Sequence, residues 1–123
     1  MSWRDYVYKE LPGTKDLGSA SEPFHLFNPE SGEAISTQIL YSLDPSYINN
    51  PPGIYDALKI CVDAVVGYTP SAENGLALAQ VKSKTIHLAV PERTSSVQWH
   101  HLLRAIIYGK ENGVSIVITK IRE

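Results

Sequence analysis

The chain has 123 residues, 43% of them hydrophobic, which suits one ordinary domain with a real core. Eleven Lys and Arg stand against 13 Asp and Glu, a net charge of -2 that excludes broad electrostatic attraction to nucleic acid or anionic membrane while leaving room for a local basic patch. A single cysteine, Cys61, excludes an internal disulfide, no apolar run is long enough to span a bilayer, and the N-terminus lacks a basic-then-apolar signal pattern, so the expectation is a soluble domain with no export address of its own.

Trp3 to Leu11 reads as a short helix: Trp3, Val7 and Leu11 form one apolar stripe, Ser2 can cap it, and Asp5 lies in the first turn where the helix dipole favours an acid. Pro12-Gly13 ends it. After a Gly- and Pro-containing loop come two short strands around Phe24-His25-Leu26-Phe27 and Glu33 to Leu40, joined by the turn Asn28-Pro29-Glu30-Ser31-Gly32. Strict alternation puts His25 and Phe27 on one face, and Ser36 and Gln38 on one face with Ala34 and Leu40. The expectation is that His25, Ser36 and Gln38 gather on one side of the hairpin, as a reactive site or as the wet face of an ordinary sheet.

Pro51-Pro52-Gly53 precedes a helix over about Ile54 to Gly67, with Ile54, Leu58, Cys61, Val62 and Val65 in helical period and Asp56 placed to pair with Lys59. Leu76 to Val81 reads as either a short helix or a strand, and Thr85 to Val90 as a strand stopped by Pro91. Ser95 and Gln98 fit a capping box opening a helix to about Glu111, with Trp99, Leu103 and Ile106 on one face, Leu102 and Ile107 beside them, and Asn112-Gly113 as its stop. Val114 to Ile121 is a β-branched run that reads as a strand covered on both faces. Strand, helix, strand with short loops predicts a parallel crossover. The fold class is α/β: one mixed sheet with flanking helices, order about α-β-β-α-β-α-β, over a single domain 1–123.

No P-loop, dinucleotide glycine motif, HExxH or CxxC is present, and Ser19, Ser21 and Ser36 lack a nucleophile-elbow context. His87, His100 and His101 have no zinc-like spacing and read as a satisfied strand histidine and two solvent-side helix residues. His25 is the candidate for proton transfer because its ordinary pKa lies near neutrality. Ser36 and Gln38 are placed to orient a phosphate or water, and Arg4 to supply positive charge to a phosphorane-like transition state.

From Trp3 onward the chain resembles the nuclease toxin domains at the C-terminal ends of bacterial contact-dependent growth inhibition proteins, in particular the zinc-dependent DNase type with a restriction-endonuclease-like (PD-(D/E)xK) fold. The resemblance is carried in order by Trp3-Arg4-Asp5-Tyr6, Phe24-His25-Leu26-Phe27, Gly32 to Leu40, Tyr55-Asp56-Ala57-Leu58-Lys59, Leu88-Ala89-Val90-Pro91, Gln98-Trp99, Tyr108-Gly109 and Gly113-Val114. It implies a site built from a Glu on the first helix, an Asp on the first hairpin strand, and a Ser and a Lys two apart on the second. Those positions are Arg4, His25, Ser36 and Gln38, and only Ser36 keeps the residue type. Zinc or magnesium is implied by the resemblance, but the carboxylate ligands are gone, so no cofactor is expected.

Two readings stand open at this point. One is a rebuilt, metal-independent phosphodiester-cleaving site, RNA before DNA because the 2′-hydroxyl supplies a nucleophile. The other is a catalytically inactive homologue that works by protein binding, as an immunity-like, decoy or regulatory domain. The resemblance further implies a cognate immunity protein as partner, nucleic acid if active, no membrane partner, and secretion within a larger toxin that acts in the recipient cell's cytoplasm; a stand-alone chain would be cytoplasmic.

Overall fold

A computed structural model describes residues 2–70 and 75–122. The elements are α1 (Trp3–Glu10), β1 (Lys15–Asp16), β2 (Leu26–Asn28), β3 (Glu33–Ile39), α2 (Pro45–Asn49), α3 (Pro52–Val66), a 3-10 turn (Leu78–Gln80), β4 (Ser83–Pro91), α4 (Ser96–Glu111) and β5 (Val114–Ile121). They form one five-stranded mixed sheet in the order β1-β2-β3-β4-β5. β2 is antiparallel to β1 and β3, and β3, β4 and β5 run parallel. The predicted α/β class and the β4-α4-β5 parallel unit are observed. β1 and α2 are additions, each too short to leave a hydropathy period, and the 3-10 turn falls within Leu76 to Val81, where the sequence leaves a short helix or a strand open. The stretch from Thr69 to Gly75 reads from sequence as a polar connection within the domain, and part of it lies outside the described residues.

Helices cover the sheet unevenly. On one face α3 and α4 bury Phe27, Ala34, Leu40, Ile86, Leu88 and Val90 together with Ile54, Leu58, Val62, Leu102 and Ala105. On the other, α1 alone lays Val7, with Trp3 and Leu11, onto Leu26 and Ile35. The Ser2 hydroxyl accepts from the Asp5 amide as the sequence predicts. In the hairpin turn, Asn28 Oδ1 accepts from the Glu30 and Ser31 amides, and Gly32 takes the positive φ of 77° that the turn needs.

Three expectations are corrected. The buried stripe of α4 is Gln98, Leu102, Ala105 and Gly109, while Leu103 is 53% exposed. Hydropathy misplaces the stripe because its inner positions are small or polar. Gln98 points inward because its amide donates to Ser42 O at 2.6 Å and Tyr47 O at 3.4 Å. Gly109 faces β5 so closely that a Cβ there would stand 2.8 Å from Val114 O. Next, β5 is an edge strand covered on one face only: Val114 and Ile116 are buried, and Val117 is 43% exposed. Finally, Lys59 pairs with Asp63 at 3.3 Å rather than with Asp56, since an i,i+4 spacing on α3 brings the two heads together.

Ser95 and Gln98 do form the capping box, with Ser95 Oγ accepting from the Gln98 amide at 3.2 Å and Gln98 Oε1 from the Ser95 amide at 3.1 Å. Ser95→Ala should therefore cost about 1 kcal/mol in urea unfolding, with an unchanged slope. A cost under about 0.3 kcal/mol would show that Gln98, through its bonds to Ser42 and Tyr47, holds the helix start alone.

Candidate functional site

The four positions singled out by sequence divide into two pairs. α1 is set on the sheet by its apolar stripe and by Trp3, whose indole N–H donates to His87 O at 2.9 Å. This directs Arg4 towards β1 and the entry to β2. Its Nη2 forms an ion pair with Asp16 Oδ1, donates to Gly18 O at 3.3 Å and makes a long contact to His25 O at 3.5 Å. Asp16 also accepts from the Gly18 amide at 2.8 Å, and this bond above all keeps its carboxyl below the ordinary value; burial opposes it, and Arg4 adds to the lowering. The pair is partly exposed and is worth only about 0–1 kcal/mol of stability. What it does is fix where the guanidinium sits.

His25 is not where alternation puts it. The β2–β3 ladder runs through Asn28↔Glu33, Phe27↔Ala34 and Leu26↔Ile35, then slips: the His25 amide donates to Ile35 O at 2.8 Å. The slip brings Phe24 into the same core cluster as Phe27, which a regular strand cannot do for residues three apart. The His25 ring turns to Thr37, with Nδ1 2.9 Å from both the Thr37 amide nitrogen and Oγ1. An amide N–H can only donate, so Nδ1 is the acceptor and the neutral ring carries its proton on Nε2. Burial first, and Arg4 second, hold the His25 pKa below its ordinary value; Glu22 and Asp16 act the other way.

Ser36 and Gln38 form the second pair, on the α3 side of β3. The Gln38 amide donates to Ser36 Oγ at 3.0 Å, and Ser36 is only 1% exposed. Gln38 lines a hollow of about 360 Å³ with Leu58, Cys61 and Leu88, rimmed by Asp44 and Ser46. The expected cluster of His25 with Ser36 and Gln38 is thus replaced by His25–Thr37 and Gln38–Ser36. Sequence reasoning misses Asp16 and Thr37. Nothing local marks Asp16, since β1 is only two residues long, and alternation places Thr37 on the face away from His25. His87 is half-buried in β4 below Trp3, and His100 and His101 lie on α4, away from these pairs.

These residues do not fit a divalent cation. Arg4 brings positive charge, His25 Nδ1 is committed to Thr37, and Ser36 and Gln38 offer only neutral oxygens. Among the described residues no group of three or more His, Cys, Asp and Glu is arranged to hold a metal ion.

Over residues 1–119 the chain matches the family described as "CDI toxin restriction endonuclease-like domain". The chain belongs to that family. Within it, the chain is 30% identical over 124 aligned residues to "Deoxyribonuclease CdiA" of Yersinia pseudotuberculosis serotype O:3 (strain YPIII), an alignment covering 99% of this chain and 12% of that protein. It is likewise 30% identical to "Deoxyribonuclease CdiA-o11" of Escherichia coli O157:H7 (strain EC869), covering 99% of this chain and 33% of that one. The chain therefore corresponds to a small part of these curated relatives. In structure it superposes on a chain of the "CdiA-CT/CdiI toxin and immunity complex from Yersinia pseudotuberculosis" with a TM-score of 0.87 and 30% identity, covering 98% of this chain and 99% of the other. The CDI toxin restriction endonuclease-like fold is thus the one this sheet and its helices form.

The half-buried histidines of this CDI toxin-family domain carry a pH dependence. His25 and His87 are both held below the ordinary histidine value, chiefly by burial, with Glu33 opposing at His87. Below about pH 6.5 the unfolded chain takes up protons that the folded chain refuses, so their stabilisation is complete above that pH and is lost as pH falls towards the lowered folded values. His101 is displaced in the same direction, by burial, Arg104 and His100. The urea midpoint should drop between pH 7.5 and pH 5, and His25→Asn with His87→Asn should flatten most of that drop. An undiminished slope in the double variant would assign it to other groups.

Proposed function

We propose that this chain is a single nuclease-type toxin domain of a contact-dependent inhibition system, held in check by a cognate immunity protein and acting in the cytoplasm of the recipient cell after delivery as part of a larger secreted protein. The observation that carries this is the match over nearly the whole chain to a toxin solved with its immunity protein, among relatives named deoxyribonucleases. In this reading the catalytic residues are Arg4 and His25, in altered roles. Arg4 clamps a phosphate with the donors Asp16 leaves open, and His25 presents Nε2 to the phosphodiester. Ser36 and Gln38, on the α3 side of β3, stand apart from that centre and bond to each other. Without carboxylates for a cation, the chemistry runs free of metal and takes RNA, whose 2′-hydroxyl is an internal nucleophile.

A second reading has its own observation. Arg4 is tied to Asp16 and Gly18, and His25 Nδ1 to Thr37, so the charged replacements are held by the fold itself. That favours a domain that has kept its shape and partner while losing catalysis. Induced expression in a host lacking the immunity protein separates the two. Growth arrest with degraded RNA, unaffected by a chelator, is the expected result. Healthy growth with intact nucleic acids would sink the nuclease reading and leave the binding one. Zinc- or magnesium-dependent nicking of DNA would instead overturn metal independence.

A further inference from the structure

The α1 side of the sheet is only half covered, and what stands at the margin of the cover is aromatic. Trp3 and Tyr6 stack face to face, centroids 5.4 Å apart and planes 16° from parallel. Trp3 cannot turn away, because its indole N–H is bonded to His87 O and it packs against the Val7, Leu26 and Ile35 cluster. Tyr6 stands outside it, 44% exposed. Beside the pair, β5 presents the uncovered side of Val117, Thr119 and Ile121. The groove so formed has a volume of about 460 Å³ and is lined by Trp3, Tyr6, Ile39, Thr119, Ile121 and Arg122 among others. It continues into a smaller hollow of about 220 Å³ over His87 and Val117.

We infer that this groove is a stacking subsite for a single-stranded nucleic acid, with one base laid on the outer face of Tyr6. The larger volume lies within the range of small-ligand sites. A preset aromatic stack offers a flat face at little entropic cost, and every base can use it whatever its sequence. The polar groups suit the rest of a nucleotide: Thr119 has a hydroxyl for the base or sugar, and Arg122 stands at the rim for a phosphate. The Arg122 side chain is 92% exposed and only loosely paired with Glu92 at 3.7 Å, so a phosphate can recruit it. An aliphatic protein segment would use the apolar walls but would offer Arg122 no anion to take in exchange for Glu92. The subsite rests on the nuclease reading and names its substrate as unpaired strand. Tyr6 and Arg4 point to different sides of α1, Tyr6 towards β5 and Arg4 towards Asp16 on β1, so a strand stacked on Tyr6 must run across the helix to reach the proposed site.

The test uses the full chain carrying Trp99→Phe, which leaves Trp3 as the only tryptophan. Short fluorescein-labelled oligothymidylate and oligouridylate are titrated in the presence of chelator, reading anisotropy and tryptophan emission. Binding that quenches Trp3, weakened about tenfold or more by Tyr6→Leu and unaltered by Tyr8→Leu, is the expected result. Circular dichroism melts confirm that each variant is folded. If Tyr6→Leu binds like its parent, the subsite is wrong while the nuclease reading stands. The subsite is equally wrong if the parent binds neither strand yet still arrests growth. If Tyr6→Leu loses capture by the immunity protein but keeps the oligonucleotide, the groove is a protein interface and the inference is overturned. A parent that neither binds nor arrests growth removes both proposals.

Discussion

His25→Ala should abolish growth arrest on induction and slow RNA degradation by about 10²–10⁴-fold, the usual contribution of a positioned proton-transfer group. His25 is the proposed site's one side chain whose ordinary pKa lies near neutrality, and the structure gives its ring a defined state. Nδ1 accepts from the Thr37 amide, which leaves the proton on Nε2, and burial with Arg4 nearby keeps the ring uncharged. A group held in that state donates a hydrogen bond to a phosphate oxygen. To take a proton at Nε2 it must first release Thr37 and change tautomer. Thr37→Val, which keeps the amide and removes Oγ1, should therefore leave arrest largely intact. If His25→Ala arrests growth as the parent does, His25 is a structural plug at the β2–β3 slip, and chemistry, if present, lies elsewhere.

Phe24→Ala is expected to cost about 3–5 kcal/mol, lowering the melting temperature by on the order of 10–20 °C. Phe24 is fully buried and meets the Tyr68 ring edge-on at 5.0 Å. Its neighbours tie distant segments together: the Tyr68 hydroxyl donates to Leu76 O at 2.6 Å, and the Leu76 amide to Ser21 Oγ at 2.8 Å. Removing the ring opens a cavity where the loop before β2, the end of α3 and the chain before β4 converge, and none of them can close it alone. Leu103→Ala, on the exposed side of α4, should by contrast stay within about 0.5 kcal/mol. Equal losses from the two would contradict the assigned phase of α4. The two tests are independent, since Phe24 faces the α3–α4 core while His25 turns to Thr37.

Much of this molecule was legible from local chemistry. The cap and stripe of α1, the turn at Asn28 to Gly32, the capping box of α4 and the β-branched run of β5 are short-range patterns, and each appears where its residues place it. The family resemblance, carried by motifs spread from Trp3 to Val114, reached the fold as well. What escaped depended on neighbours far away in sequence. Whether β5 is central or at an edge is a matter of topology, since β-branched residues serve either place. The inner face of α4 was hidden because Gln98 and Gly109 are selected by Ser42, Tyr47 and Val114 O rather than by hydrophobicity.

The same distinction runs through the candidate site. Residue types alone show that Arg4, His25, Ser36 and Gln38 offer no anionic oxygen, which a hard cation needs. Only the folded chain decides who partners whom. A one-residue slip in the β2–β3 ladder turns His25 to Thr37, and Asp16, on the short strand β1, takes the Arg4 guanidinium. Alternation along a strand is a rule for regular pairing, and it stops applying at the residue where the pairing stops.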